Sequence, residues 1–110
     1  MAIAKTRVLI VDDHAVVRAG FRQLLEATDD LEAAGEAGTA AAALSEAATG
    51  RFDVVLLDIS LPDAGVLETV SALRRKHPDL PILVVSMHAE EQYAVNLLRA
   101  GVNGFFPQGG

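Results

Sequence analysis

Short apolar runs alternate with apolar residues at helical spacing along the whole chain. Val8-Leu9-Ile10-Val11 is a β-branched run that suits a strand buried on both faces. Val17, Phe21, Leu24 and Leu25 then fall at i, i+4, i+7 and i+8, one face of a helix. Leu31-Glu32-Ala33-Ala34 is a weaker strand, and Ala40, Leu44, Ala47 and Ala48 repeat the helical spacing behind an N-cap at Thr39. Val54-Val55-Leu56-Leu57 is a second strong strand. Val66, Val70 and Leu73 mark a third helix, with Arg74, Arg75 and Lys76 in its last turn and Pro78 beyond it. Ile82-Leu83-Val84-Val85 is a further strand. Ala94, Leu97 and Leu98 predict a fourth helix, capped by Gly101, and Phe105-Phe106 a last short strand. The order βαβαβαβαβ predicts one α/β domain: a parallel sheet with helices on both faces, joined by right-handed crossovers. A fifth helix would complete the last unit, but Gln108-Gly109-Gly110 follows instead. One sheet face is therefore expected to lack part of its cover and to favour self-association.

Composition narrows the function classes. A length of 110 residues fits a single domain, and 51% hydrophobic residues provide a core and exclude a disordered polymer. The absence of Cys excludes disulfides, thiolate zinc sites and cysteine nucleophiles. No apolar run is long enough to span a bilayer or to form a signal peptide, so a cytoplasmic protein without membrane contact is expected. With 15 acidic against 9 basic residues the net charge is −6, which opposes nucleic-acid contact by this segment.

The polar residues that end the strands are more informative. Val8–Val11 runs into Asp12 and Asp13, Val54–Leu57 into Asp58, and Ile82–Val85 into Ser86; Gln108 follows the last strand after Pro107. In a parallel sheet these carboxyl ends share one edge, where open α/β sheets bind their ligands. Two carboxylates brought to ~4 Å repel by about 4 kcal/mol at an effective dielectric of 20. Either one takes a proton or a cation sits between them. An oxygen-only donor set favours a hard ion, Mg²⁺ before Zn²⁺, and a cation there would let a phosphate approach. An Asp can itself be the nucleophile that accepts a phosphoryl group.

At these residues the chain resembles the receiver (phosphoacceptor) domains of two-component response regulators, and the NarL/FixJ class in particular. The resemblance rests on Val8-Leu9-Ile10-Val11-Asp12-Asp13-His14 with Val17-Arg18, on Gly35-Glu36-Ala37, and on Asp58-Ile59-Ser60-Leu61-Pro62. It extends to Leu67-Glu68-Thr69, Val85-Ser86-Met87-His88 and Ala100-Gly101-Val102-Asn103-Gly104-Phe105, so it covers the chain apart from the family's last helix. It implies a flavodoxin-like (CheY-like) doubly wound five-stranded sheet in the order 2-1-3-4-5, with the final helix absent. Residues 1–110 would be a C-terminally truncated receiver, without the DNA-binding domain that follows in this class.

The resemblance also implies roles. Asp58 would take a phosphoryl group from a sensor histidine kinase. Asp13 would bind Mg²⁺ directly, Asp12 largely through water, and Asp58 and the Ser60 backbone carbonyl would complete the metal site. Ser86 would reach for the phosphoryl group, and Phe105 would be the aromatic switch that follows Ser86, changing association, homodimer formation included. Such a chain is a signalling module that assists its own phosphoryl transfer, not an enzyme.

Two positions depart from the family pattern. Gln108 stands where a Lys is usual, and a neutral donor bonds a phosphoryl oxygen about half as strongly as a charged one. Val66 stands where Gly is common, with Gly at 65, so a shifted loop is expected after Asp58. These departures support one alternative, a degenerate receiver acting as a phosphorylation-independent interaction module. A second alternative, a flavodoxin-like cofactor binder, needs a Gly/Ser/Thr phosphate loop after the first strand, where Asp-Asp-His stands instead. His14 is expected in the first turn without a part in the site, His77 and His88 at the surface, and Arg74-Arg75-Lys76 as a solvated helix end.

Overall fold

The computed structural model describes residues 5–58, 63, 65–86 and 101–107. Five strands, β1 (Thr6–Val11), β2 (Leu31–Ala37), β3 (Val54–Asp58), β4 (Ile82–Ser86) and β5 (Gly104–Pro107), form one parallel sheet in the order β2-β1-β3-β4-β5. Helices α1 (Ala15–Glu26), α2 (Ala40–Ala47) and α3 (Val66–Lys76) connect them. The expected sheet order is therefore present, and so is the alternation from β1 through β4. The fourth predicted helix, with Ala94, Leu97 and Leu98, lies outside the described residues. Gly101 has φ +113, a backbone conformation that favours glycine.

Side-chain alternation assigns each strand residue to a face. Leu9, Val11, Val55, Leu57, Ile82 and Val84 point to the face covered by α2 and α3 and pack with Ala43, Ala47, Val66, Val70 and Leu73. Each of those strand residues is at most 1% exposed. The alanines of α2 serve this packing: Ala40, Ala43 and Ala47 are buried, and their small side chains let the helix approach the sheet. Thr39 caps α2 as expected, its Oγ1 accepting from the Ala42 N–H at 3.0 Å. Between Val8 and Leu9 the β1–β2 register slips, so Ala34 is an extra residue, a bulge. The next residue, Gly35, lies against Phe52: a Cβ there would fall 2.7 Å from the ring, so no side chain fits without displacing it.

The opposite face is covered less. Val8, Ile10 and Ala33 are buried under Phe21 and Leu25 of α1, while Val54 and Leu56 are only half-buried. Among the described residues α1 is the one helix on this face. Its apolar stripe divides. Phe21 and Leu25 pack on the sheet, whereas Leu24 is 68% exposed and forms an open apolar groove with Val17, Gly20 and Phe21.

Two expectations at the amino edge need correction. Arg74 is not part of a solvated helix end. Its guanidinium donates to the carbonyls of Gly101 (2.7 Å), Pro78 (2.7 Å) and His77 (3.3 Å) and to Asn103 Oδ1 (2.8 Å), which also accepts from the Ile82 N–H. The helix C-terminus meets the start of β4 and the approach to β5 here, and an Arg fork satisfies their carbonyls. His77 is half-buried rather than at the surface, and its Nε2 is enclosed. His88 lies outside the described residues.

Candidate functional site

The site grows from the ends of β1 and β3. These strands pair with Val11 opposite Leu57, so Asp12 and Asp58 follow on adjacent strands at the same level. Neighbouring strands lie roughly 4.8 Å apart. The fold therefore gathers two acidic strand ends, with Asp13 one residue further, at the carboxyl edge. Ser86 ends β4 beside β3, with Val85 opposite Asp58. Phe105 lies in β5 opposite Val84. Ser60 and Gln108 lie outside the described residues.

Asp12 is 4% exposed, a rare burial for a carboxylate. Its main chain is held on both sides. Its N–H donates to the Ala37 carbonyl of β2 at 3.0 Å, and its carbonyl accepts from Arg18 Nη1 at 2.6 Å. Its Oδ1 accepts from the His14 backbone N–H at 2.8 Å, which turns the chain from β1 into α1. Asp13 is exposed.

His14 is closer to the acids than the sequence suggested. Its Nδ1 lies 2.8 Å from Asp13 Oδ1 and 3.3 Å from Asp12 Oδ1, a hydrogen bond when Nδ1 carries the proton. The three residues offer ligand atoms within 4.8 Å of one another. His14 remains largely exposed.

Two supporting arrangements were not legible as site features. Arg18 and Arg22 of α1 both bond Glu36 of β2, through Arg18 Nε–Oε1 (2.9 Å) and Arg22 Nη2–Oε2 (2.7 Å). Arg22 above all, then Arg18, hold the Glu36 carboxyl below its ordinary pKa against the opposing effect of burial. Asp63, five residues after Asp58, accepts the N–H groups of Ala40 (2.8 Å) and Ala41 (3.1 Å) in the first turn of α2. Those two bonds lower its pKa. Asp63 thus ties the segment that follows Asp58 to the neighbouring βα unit. The signal for the first arrangement stood in the quoted motifs, Val17-Arg18 and Gly35-Glu36-Ala37; Asp63 carried none.

At Val66 itself the backbone is helical. Val66 is the first residue of α3 and is buried, while Gly65 precedes it with φ −68, so neither requires a left-handed backbone. Residues 59–62 lie outside the described residues.

Comparison with known proteins decides the family. The model of the response regulator receiver domain matches residues 8–108. The chain belongs to the response regulator receiver domains. This receiver is 38% identical over 103 residues to the response regulator GacA of Pseudomonas viridiflava, covering 94% of this chain and 48% of that protein. It is 36% identical over 99 residues to the DNA-binding transcriptional activator DevR/DosR of Mycobacterium tuberculosis, covering 90% and 46%. A crystal structure of a LuxR-family two-component response regulator from Aurantimonas sp. SI85-9A1 superposes with TM-score 0.91 at 29% identity, covering 96% of this chain and 76% of that one. The relatives are of the NarL/FixJ class, and the receiver spans about half the length of the curated relatives it matches. Its flavodoxin-like fold and its place in two-component signalling follow. No helix among the described residues is long and apolar enough to cross a membrane.

Proposed function

We propose that this receiver accepts a phosphoryl group on Asp58 from a sensor histidine kinase and converts that event into altered association. The observation that carries this is the placement of Asp12 and Asp58 at level ends of the adjacent strands β1 and β3, with Asp13 beside them. The donor set fits a hard cation: carboxylate oxygens from Asp12, Asp13 and Asp58, completed by the Ser60 carbonyl, suit Mg²⁺. Bound there, Mg²⁺ would neutralise phosphoryl oxygens and let an anion meet an acidic edge.

The remaining chemistry belongs to the chain. An Asp58 carboxylate oxygen attacks phosphorus in line; a P–O bond forms and the P–N bond to the kinase imidazole breaks, the imidazole leaving with a proton. Ser86 donates its hydroxyl to a phosphoryl oxygen, and Gln108 an amide N–H where the family usually has a charged donor. Phe105 follows the movement of Ser86, and the altered face around the fourth helix and β5 changes its partners, a second copy among them. Residues 1–110 form the receiver of a longer cytoplasmic transcriptional regulator whose DNA-binding domain lies outside this segment. The net charge of −6 argues against nucleic-acid contact by the receiver itself.

The test is the intact mass of the protein after incubation with acetyl phosphate, with and without Mg²⁺, beside Asp58→Asn. A single phosphoryl adduct that needs both Asp58 and Mg²⁺ is expected, and Gln108→Lys should accelerate its formation. A folded protein without an adduct would instead be a degenerate receiver, an interaction module independent of phosphorylation, which the Gln108 departure favours.

A further inference from the structure

Arg18 stands in one of the quoted motifs, yet the phosphoacceptor chemistry gives it no part. Its side chain is mostly enclosed and makes two different contacts: Nε to Glu36 at 2.9 Å and Nη1 to the Asp12 carbonyl at 2.6 Å. Arg22, one helical turn on, provides a comparison within the same helix. It also bonds Glu36, and adds the Ala33 carbonyl at 3.2 Å and Glu26 at 3.4 Å rather than the Asp12 carbonyl. Fastening α1 to β2 is thus already the work of Arg22. Of the two, Arg18 continues from Glu36 to the acidic turn.

That contact fixes one peptide plane. The Asp12 carbonyl and the Asp13 N–H belong to the same planar unit, so holding the first sets the direction in which Asp13 leaves the strand. The other side of Asp12 is held by its N–H bond to Ala37. Space for the guanidinium comes from Gly38, where a Cβ would lie 3.3 Å from Arg18 Nη1 and 3.9 Å from the Asp12 carbonyl oxygen.

We infer that Arg18 is a positioning residue for the divalent-cation site: bridged to Glu36, it clamps the Asp12–Asp13 peptide so that the two carboxylates meet the cation. The inference rests on the metal site proposed above. Charge and geometry act here with opposite sign. As a nearby cation Arg18 repels a metal ion, so its removal would tighten binding if charge alone mattered. As a clamp, its removal loosens the carboxylates and weakens binding, as loss of an outer partner of a metal ligand commonly does by about 10–100-fold.

Calorimetric titration of the 110-residue chain with Mg²⁺ alone tests this, with the metal-free thermal midpoint of each variant measured alongside. Arg18→Met should weaken Mg²⁺ binding about tenfold or more. Arg22→Met, which also loses a bond to Glu36, should lower the thermal midpoint at least as much but leave Mg²⁺ affinity within about twofold of the parent. Arg18→Lys keeps the charge without the two-way fork and should also weaken binding; it carries the test if Arg18→Met does not fold. Equal or tighter Mg²⁺ binding by folded Arg18 variants, or an equal loss in Arg22→Met, would overturn the clamp. Asp13→Asn separates this from failure of the metal site: a parent without saturable Mg²⁺ binding that Asp13→Asn removes would overturn the site and the clamp together.

Discussion

The two edges of the sheet use charge in opposite ways. At the amino edge the Asp53 N–H donates to the Arg7 carbonyl and the Arg7 N–H to Asp53 Oδ2, each at 2.8 Å, and their side chains meet in a fork with both contacts at 3.2 Å. Arg74 there answers three carbonyls and Asn103. Acid is matched by base, and carbonyl by donor. At the carboxyl edge Asp12, Asp13 and Asp58 gather, and the nearby Arg18 spends its donors on Glu36 and a backbone carbonyl. The amino edge ties the strands together; the carboxyl edge gathers acidic residues. In the function proposed above, stability and chemistry occupy opposite ends of the same strands.

The sharpest way to break this contrast is Asp13→Asn. In the parent, Mg²⁺ at a hundred times its Kd should stabilise the fold by about 2.7 kcal/mol, raising the thermal midpoint on the order of 10 °C. In Asp13→Asn that rise should vanish, while the metal-free midpoint stays level or increases as repulsion is relieved. A clear fall in the metal-free midpoint would show that the carboxyl edge also carries stability.

Arg74→Met tests the other edge. Losing its bonds to Gly101, Pro78, His77 and Asn103 should cost about 2 kcal/mol, read by denaturant or thermal unfolding, with Mg²⁺ affinity unchanged. A matching loss of Mg²⁺ binding would mean that the edges are coupled through the strands.

The smallest effect is in pH. Arg7, mainly through its side-chain bonds, depresses the Asp53 pKa. A depressed folded-state pKa contributes stability that is present above the unfolded value, near 4, and is lost as pH falls through the folded value. The thermal midpoint should therefore decline as pH drops below about 4, and Asp53→Asn should make the decline slightly shallower. An identical slope in parent and variant would remove the pair from the account.

The edges also differ in how legible they are in sequence. The carboxyl edge could be read because each acid closes an apolar run, so Asp12, Asp13 and Asp58 stand out and one topological rule brings them together. The amino edge could not. Arg74 serves backbone carbonyls that any residue supplies, and its partner Asn103 lies 29 positions away, so a helix-end charge run looked solvated. The same limit applies to Arg18 and Glu36, 18 apart, and to Asp63, whose partners are amide groups. Strand order came from resemblance, since alternation fixes parallel pairing but not sequence in space. The α1 stripe showed a helix but not how far each apolar residue would be covered: Phe21 and Leu25 pack on the sheet while Leu24 is exposed.

The pairing of β1 carries a kinetic consequence. Every neighbouring pair of strands is parallel, so no pair closes through a hairpin, and β1 joins β2 on one side and β3 on the other. Such long-range pairings form slowly, after large loops have closed. Asp12 reaches the level of Asp58 only when β3 docks on β1. During synthesis the acidic edge cannot assemble until residue 58 has emerged and found a strand made more than forty residues earlier. Competence at that edge therefore appears late and all at once, as a certificate that the central sheet has closed.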